Sequence, residues 1–347
     1  MKITVLFTGG TIRSQISGSV LDVSESAMPQ LLYLYEQERP NGDVELAPET
    51  LFSVLSENMT VSYWKQIYDR IKGISKKDCD GVVVTHGTDT LAYSAAFLSF
   101  MLKDIDVPIL LVSSDYPLDD CRSNGLPNFI AAVDFISNVG TKGLFVPFYK
   151  RLKKNETQTI IHLGTRLMQA QPFVHCFNSL GNVAYGRICE GVFQWHNHEN
   201  NPTPDDVQSP SEIVIPCFPE EKKILYLNAY PGLDYEIMDF REKPDAIIHC
   251  LFHSGTACAT PEYDRNSVVA FAKRCIGQGI DFYAAPYDSR HPMYSSSKVM
   301  ADTGIRFINN ISSVAAYTKL LIAYGSFTNG DERRFFIDNN IACEQFC

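Results

Sequence analysis

The sequence predicts an α/β protein with a larger N-terminal parallel-sheet domain and a smaller C-terminal α/β domain. A chain of 347 residues is long for one domain and suits two. Short apolar runs rich in β-branched residues alternate with helical segments in both halves, which is typical of parallel sheets covered on both faces. The segment 196–212 is polar, rich in proline and aperiodic. We therefore predict domains at 1–195 and 213–347, joined by a linker over 196–212.

The predicted elements follow from the hydrophobic periodicity of each segment. In the first half, strands are expected at 3–7, 81–85, 109–113 and 143–147, and helices at 28–37, 60–74, 91–103 and 126–136. In the second half, strands are expected at 224–227, 246–251 and 281–286, and helices at 234–240, 267–278 and 312–324. The helix at 60–74 is amphipathic, because Trp64, Ile67 and Ile71 recur at helical spacing. The polar stretch 13–26, with its serines and glycine, is expected to be a mobile loop.

The composition excludes several functional classes. The net charge of −10 argues against a general nucleic-acid-binding protein, because phosphate binding needs a basic surface. No apolar run is long enough for a membrane span, and the sequence does not open with a secretory-signal pattern. The ten cysteines are scattered without CxxC spacing, which is typical of reduced thiols. We expect a cytoplasmic protein that binds neither membrane nor nucleic acid.

Neither a metal nor another cofactor is predicted. His196 and His198 stand close together, but the polar segment around them offers no further ligands at metal-binding spacing. A dinucleotide-binding oxidoreductase is an alternative of another class that the predicted fold permits. Gly9 and Gly10, however, lack the GxGxxG spacing that binds a pyrophosphate, so we do not favour this alternative.

Threonines embedded in glycine follow two of the predicted strands. Thr11 lies in the segment 8–12 after the first apolar run, and Thr88 and Asp89 lie in the segment 85–91 after another. Ligands of an open α/β sheet bind at the carboxyl ends of its strands, so two hydroxyls and a carboxylate are expected in one crevice. A glycine-rich turn alone is weak evidence, since it can serve only the turn. The sequence His-Gly-Thr-Asp-Thr is more specific, because it places a hydroxyl beside an acid.

Both segments resemble the signatures of a known enzyme family. Thr-Gly-Gly-Thr-Ile at 8–12 and His-Gly-Thr-Asp-Thr-Leu-Ala-Tyr at 86–93 are similar to those of the bacterial-type L-asparaginases, type I (cytosolic), of the asparaginase/glutaminase family. Further similarity is found at 98–102, 117–118, 122–125 and 230–232. The resemblance implies a two-domain asparaginase-like fold, assembled as a homodimer or homotetramer. It also implies hydrolysis of L-asparagine, or a related amino-acid amide, to L-aspartate and ammonia through a threonine acyl-enzyme.

The resemblance assigns catalytic roles to three residues. Thr11 would attack the side-chain amide carbon as the nucleophile. Thr88 would position the attacking water or serve as a second nucleophilic hydroxyl. Asp89 would pair with the α-ammonium group of the substrate through a charge-assisted hydrogen bond. Gly9 and Gly10 would allow close backbone approach, so that nearby N–H groups stabilise the oxyanion.

Five further residues match substrate-binding positions of the family. Ser56 and Glu57 match the loop that holds the substrate α-carboxylate, and Gly87 and Ser114 match other pocket positions. Asp115 stands beside Ser114 and, with Glu57, adds two carboxylates to that of the ammonium-binding aspartate. Crowded carboxylates favour a cationic ligand or raise the pKa of one of them.

The chain departs from the family pattern at two catalytic positions. Ser19 stands where the family has a loop tyrosine that activates the nucleophile. Gln169 stands where the family has the relay lysine, and a shifted alignment would place Arg166 there instead. Neither replaces a lysine as a base, since glutamine does not titrate and arginine stays protonated.

Three hypotheses remain open after these substitutions. The chain is an active amidohydrolase that recruits other groups, such as a lysine of 150–154 or a tyrosine brought close by the fold. Alternatively, it is a slow or altered enzyme that acts on another amide. In the third hypothesis it is an inactive asparaginase-like protein that binds an amino acid or a related ligand.

Overall fold

The computed structural model describes residues 1–10, 14–17, 20–23, 27–40, 42–151 and 157–346. Thr11 and Ser19, as well as the lysines at 153 and 154, lie outside the described residues. The chain forms two compact units, Met1–Glu212 and Ile213–Cys347. Each unit combines a β-sheet with helices, so the predicted α/β class is confirmed.

A mixed eight-stranded sheet is the centre of the first unit. The strands of the unit are β1 (Lys2–Gly9), β2 (Ser14–Ser17), β3 (Val20–Val23), β4 (Glu45–Val54), β5 (Gly81–Thr85), β6 (Pro108–Val112), β7 (Gly143–Arg151), β8 (Thr157–Leu163), β9 (Gly186–Cys189) and β10 (Val192–Trp195). The sheet order is β10-β9-β8-β7-β6-β5-β1-β4. The strands from β4 to β7 in this order are parallel, whereas β8, β9 and β10 add antiparallel pairs. The four predicted strands of this half are β1, β5, β6 and β7.

The central strands are apolar because they are covered on both faces. Every residue of β5 and β6 is buried, as is every residue of β1 except Lys2. Strands with two buried faces read as continuous apolar runs rather than alternating ones. Because β4, β1, β5 and β6 are parallel, their carboxyl ends lie at one edge of the sheet.

The sequence prediction missed the strands at the margins of this sheet. The edge strand β4 contains Pro48, which has no N–H for a ladder and is tolerated because one side of an edge strand is unpaired. The prediction of a mobile loop over 13–26 was wrong for residues 14–17 and 20–23. These residues form the antiparallel pair β2–β3, with Ser14 opposite Val23 and Ser17 opposite Val20. β-Branched valines favour such pairing, and the surrounding serines concealed this signal.

The described part of the first unit contains five α-helices. They are α1 (Ala27–Glu38), α2 (Val61–Ile71), α3 (Leu91–Met101), α4 (Gly125–Asn138) and α5 (Pro204–Gln208). α2 buries Trp64, Ile67 and Ile71, as its spacing predicts. The indole of Trp64 stacks on Phe97 of α3 with ring centroids 4.5 Å apart, and its Nε1 donates to Oγ of Ser94 at 2.7 Å.

The predicted linker 196–212 belongs to the first unit and contains α5. Thr203 and Asp206 form a capping box at the start of this helix, in which each side chain accepts from the backbone N–H of the other. The division between the units falls after Glu212, where the predicted second domain begins.

The second unit is a parallel sheet with helices. Its elements are β11 (Ile224–Asn228), β12 (Ala246–Cys250), β13 (Asp281–Tyr287), β14 (Arg306–Asn309), α6 (Val268–Gly277), α7 (Ser295–Asp302), α8 (Ser313–Ser326) and α9 (Gly330–Asp338). The strands pair in chain order, and Ile247, Phe271 and Phe282 are central to the core. The predicted helix at 234–240 was wrong, because only the 3₁₀ turn Tyr235–Ile237 forms. Asp234 accepts from the N–H of Glu236 and so favours a local turn. Within the described parts of both units, each helix is too short or too polar to cross a bilayer.

Candidate active site

Two glycines bring the carboxyl ends of β1 and β5 into direct backbone contact. Gly10 follows β1 with φ at +80°, and a Cβ on it would lie 2.4 Å from the backbone nitrogen of Gly87. A Cβ on Gly87 would lie 2.4 Å from Oγ of Ser56, which follows β4. Only glycine fits at both positions, so the three loops meet here because Gly10 and Gly87 have no side chain.

Hydrogen bonds fix the register of these loops. The N–H of Thr8 donates to Oγ1 of Thr85 at 3.2 Å, and the Thr8 hydroxyl donates to the carbonyl of Thr85. The N–H of Gly10 donates to the carbonyl of Val54 at 3.2 Å. Gly10 is thus held between the end of β4 and the loop after β5. Thr11 is the next residue along the chain.

Ser56 and Asp89 form a hydrogen-bonded pair across two of the loops. The N–H of Asp89 donates to Oγ of Ser56 at 3.2 Å, and this hydroxyl lies 3.4 Å from Oδ2 of Asp89. Oγ1 of Thr90 donates to the carbonyl of Ser56 at 2.8 Å. Ser56 is buried, whereas Asp89 and Glu57 are exposed and Thr88 is half-buried. The pair therefore places a buried hydroxyl beside an exposed carboxylate at the carboxyl edge of the sheet.

The loop after β6 adds Ser114 and Asp115 to the same edge of the sheet. The N–H of His86 donates to the carbonyl of Val112 at 2.8 Å, which places this loop beside the β5 loop. Oγ of Ser114 is buried and donates to the carbonyl of Tyr116 at 2.6 Å. Burial raises the pKa of Asp115, while the nearby His175 partly opposes this rise. The pKa of the Asp115 carboxyl is thus raised, but burial causes the rise rather than crowding by other carboxylates.

Residues 168–178, named here the strap, contact the loop after β5 through Gln169 and the loop after β6 through His175. At its base, Leu167 pairs with Ser179 and the N–H of Met168 donates to the carbonyl of Asn178 at 2.9 Å. Nε2 of Gln169 donates to the backbone carbonyl of Asp89 at 2.5 Å.

Of the two residues considered for the position of the relay lysine, Gln169 contacts a predicted site residue, Asp89. Arg166 is buried, and its guanidinium donates to the carbonyl of Asn200. The amide of Gln169 is bonded to a backbone oxygen and carries no titratable proton.

The histidine that precedes Gly87 is fully buried. His86 is fully buried, and its Nδ1 lies 2.7 Å from the carbonyl of Gly87. Burial lowers the pKa of His86 to about 4, because the charged imidazole would lose its solvation. This imidazole is therefore neutral near pH 7 and is bonded to the backbone of the β5 loop.

The structure brings together Ser56, Gly87, Asp89 and Gln169, and it places Ser114 and Asp115 on the adjoining loop. The sequence analysis missed two residues that contact Asp115. Oδ1 of Asn124 accepts from the N–H of Asp115, and Nδ1 of His175 lies 3.7 Å from Oδ2 of Asp115. Asn124 lies in the segment 122–125 that resembles the family, which is a signal for it. His175 lies in the strap, where no periodicity or motif marks it.

Replacing Gly10 with alanine is expected to destabilise the first unit by more than about 2 kcal/mol. The new Cβ would meet backbone atoms, which cannot rotate away, and φ at +80° is unfavourable for any residue with a Cβ. Urea unfolding followed by tryptophan fluorescence measures this, because Trp64 and Trp195 both belong to this unit.

Gly73→Ala is the matched control. A Cβ on Gly73 has no atom within 4 Å, so we expect its free energy of unfolding to change by less than about 0.5 kcal/mol. Equal unfolding midpoints for both variants would show that the loops do not depend on Gly10.

Comparison with known proteins shows a family match over most of the first unit. Residues 2–201 match the family model described as Asparaginase, N-terminal. The chain is similar to the glutamyl-tRNA(Gln) amidotransferase subunit designated D in two archaea. It is 28% identical over 249 residues to the protein of Thermococcus kodakarensis and 25% identical over 358 residues to that of Pyrococcus abyssi. The first alignment covers 69% of this chain and 52% of the relative, and the second covers 99% and 76%. The chain thus spans about half of the Thermococcus protein.

Solved structures share the fold over nearly the whole chain. The thermostable L-asparaginase from Thermococcus kodakarensis superposes with a TM-score of 0.76 at 21% identity, covering 99% of both chains. L-asparaginase I from Vibrio cholerae superposes with a TM-score of 0.77 at 22% identity, covering 99% of this chain and 98% of the other. The predicted two-domain asparaginase-like fold is therefore confirmed.

Proposed function

Since the chain belongs to the asparaginase family, we propose that it is an amidohydrolase that releases ammonia from the side-chain amide of an amino acid. L-Asparagine is the first candidate substrate. L-Glutamine is the second, because the similar relatives carry the name of a glutamyl-tRNA(Gln) amidotransferase subunit. The product would be the corresponding acidic amino acid.

One observation carries this proposal. Gly10 lies against the backbone of Gly87, Gly87 lies against the side chain of Ser56, and Ser56 is bonded to Asp89. The ends of three neighbouring strands, β4, β1 and β5, thereby supply the groups that an amino-acid amide requires, namely backbone N–H groups, hydroxyls and a carboxylate.

The proposed roles follow from this arrangement. Thr11 attacks the amide carbon, and the resulting ester is hydrolysed by water that Thr88 positions. Asp89 accepts hydrogen bonds from the α-ammonium group, with a charge-assisted bond that neutral analogues lack. Oγ of Ser56 donates to the α-carboxylate instead of turning towards Asp89.

A second function is favoured by Gln169. Its amide lies where the resemblance expects a lysine, and it is bonded to the carbonyl of Asp89. Loss of a general base commonly lowers a rate by about 10²- to 10⁴-fold. The second candidate is therefore a protein that binds an amino acid without turning it over.

Ammonia release separates the two candidates. We would incubate the protein with asparagine, glutamine and a panel of other amino-acid amides, and use Thr11→Ala as the control for contaminating host enzymes. Release by the wild type but not by the variant supports the amidohydrolase. If no amide yields ammonia while an amino acid raises the thermal midpoint, the binding protein replaces it.

A further inference from the structure

Two different segments of the first unit hold the peptide groups on either side of Asp89. Its N–H donates to Oγ of Ser56 at 3.2 Å, in the turn after β4, and its carbonyl accepts from Nε2 of Gln169 at 2.5 Å, in the strap. The backbone of a residue has only two soft dihedrals, φ and ψ, and the orientations of its two peptide groups fix both. The direction in which the Asp89 side chain leaves the backbone is therefore set by Ser56 and Gln169 together.

The residue after Asp89 is also held from two sides. The hydroxyl of Thr90 donates to the carbonyl of Ser56 at 2.8 Å, and the carbonyl of Thr90 accepts from the N–H of Ser94 at 3.0 Å, in the first turn of α3. The turn after β4 and the helix thus enclose the end of the β5 loop. The bond from Gln169 adds a third segment, because the strap holds the carbonyl of Asp89.

Gln169 lies next to the fixed base of the strap. Leu167 is fully buried and pairs with Ser179, and the N–H of Met168 donates to the carbonyl of Asn178 at 2.9 Å. Gln169 is the next residue, and it is exposed. Its side chain therefore starts from an anchored backbone, which lowers the conformational entropy that its hydrogen bond must overcome.

The chemistry of this bond leaves the Asp89 carboxylate available to a ligand. A glutamine amide donates a hydrogen bond without a charge and without a titratable proton. It thus holds the backbone of Asp89 and does not act as a cation that competes for the carboxylate. Asp89 is exposed, and a carboxylate with a fixed direction binds an ammonium group at a lower cost in entropy than one on a mobile loop.

We propose that Gln169 is a positioning residue, which directs the Asp89 carboxylate towards the α-ammonium group of the bound amino acid. This inference rests on the proposed function, in which Asp89 accepts from that group, and it holds for the amidohydrolase and for the binding protein alike. Gln169 thereby determines how strongly the site prefers an α-amino acid to the same acid without its amino group. It takes no part in proton transfer.

Gln169→Met tests this role through the affinities for matched ligands. Methionine has a similar length but no N–H to donate. The probes are L-aspartate and succinate, which differ only in the amino group, and L-glutamate and glutarate as the longer pair. We expect the wild type to prefer the amino acid and the variant to lose about 3- to 10-fold of this preference, the worth of one hydrogen bond. The affinity for the analogue without an ammonium group should stay unchanged. Isothermal titration calorimetry measures all four dissociation constants.

A double variant shows whether Gln169 acts through Asp89. Asp89→Asn removes the charge that faces the ammonium group and should lower the preference by about 10- to 100-fold. Adding Gln169→Met to Asp89→Asn should lower the preference no further, because the two changes affect one interaction.

Gln171→Met is the matched control for Gln169→Met. Gln171 is an exposed glutamine of the same strap, and within the described part of the chain its amide has no hydrogen-bond partner. Its substitution should leave both affinities and the preference unchanged. Thermal midpoints show that the variants are folded, and the exposure of all three positions favours this.

The outcomes distinguish this inference from the proposed function. Equal losses of affinity for the amino acid and its analogue in Gln169→Met would show a general structural role and overturn the inference, as would an unchanged preference or a further loss in the double variant. A wild type that does not prefer the amino acid also overturns it, and ammonia release then decides the proposed function by itself. A loss confined to the amino acid, absent from the double variant and from Gln171→Met, supports the inference.

Discussion

Replacing Thr11 with alanine is expected to lower ammonia release by roughly 10⁴- to 10⁶-fold, because the proposed acyl-enzyme cannot form without its hydroxyl. This loss corresponds to about 5 to 8 kcal/mol of transition-state stabilisation. Binding should survive, since Ser56 and Asp89 are held by backbone and side-chain bonds that do not involve this residue. Steady-state kinetics with the preferred amide measures the loss, and the thermal shift caused by the product amino acid measures binding.

Thr11→Ser is the matched variant for this experiment. It keeps a hydroxyl at the same position and should retain far more activity than Thr11→Ala, whereas a purely structural role would make the two alike. If Thr11→Ala keeps more than a few per cent of the wild-type rate, the nucleophile is another group. Thr88→Ala would then be the next variant, because the resemblance offers Thr88, three residues after β5, as a second nucleophilic hydroxyl.

Much of the proposed site could be predicted from the sequence because backbone geometry fixes it. Continuous apolar runs identify β1, β5 and β6 as central parallel strands, and the carboxyl ends of such strands share one edge. The glycines after β1 and β5 then indicate close backbone approach. The structure shows this close approach, because Gly10 lies against Gly87 and Gly87 lies against Ser56. Ser56 was found only through the resemblance, since β4 carries no clear pattern.

The partners of these residues could not be predicted, because they depend on distant segments. Gln169 contacts Asp89 across 80 positions, and His175 meets Tyr116 across 59. Neither contact leaves a periodic signal. The sequence also left Gln169 and Arg166 as alternatives for one position. They differ in burial, and only the folded strap directs Gln169 to the β5 loop.

The missed elements have weak local signals for similar reasons. β8, β9 and β10 extend the sheet by antiparallel pairing, which depends on a neighbouring strand more than on an apolar run. The short helix α5 depends on a capping box within a polar segment. In the second unit, the buried Lys319 of α8 has no sequence signature, because its acidic partner Glu344 lies 25 residues further along the chain.

Lys319→Met is expected to destabilise the second unit by about 3 to 5 kcal/mol. Lys319 and Glu344 are both fully buried, and Nζ of Lys319 donates to the Glu344 carboxylate and to the carbonyl of Asn339. Methionine fills a similar volume but leaves the carboxylate buried with only the N–H groups of Ile341 and Ala342 as partners. Urea unfolding followed by far-UV circular dichroism measures the change. Amide hydrogen exchange in α8 and α9 locates it.

Two further variants show whether charge or packing is responsible. Lys298→Met removes an exposed partner of Asp302 at 3.4 Å on α7, and its effect should stay below about 0.5 kcal/mol. The double variant Lys319→Met with Glu344→Gln removes both buried charges while the amide oxygen still accepts from Ala342. It should recover most of the stability that the single variant loses, because the large cost comes from an unpaired buried charge. A double variant as unstable as Lys319→Met would assign the loss to packing around α8 instead.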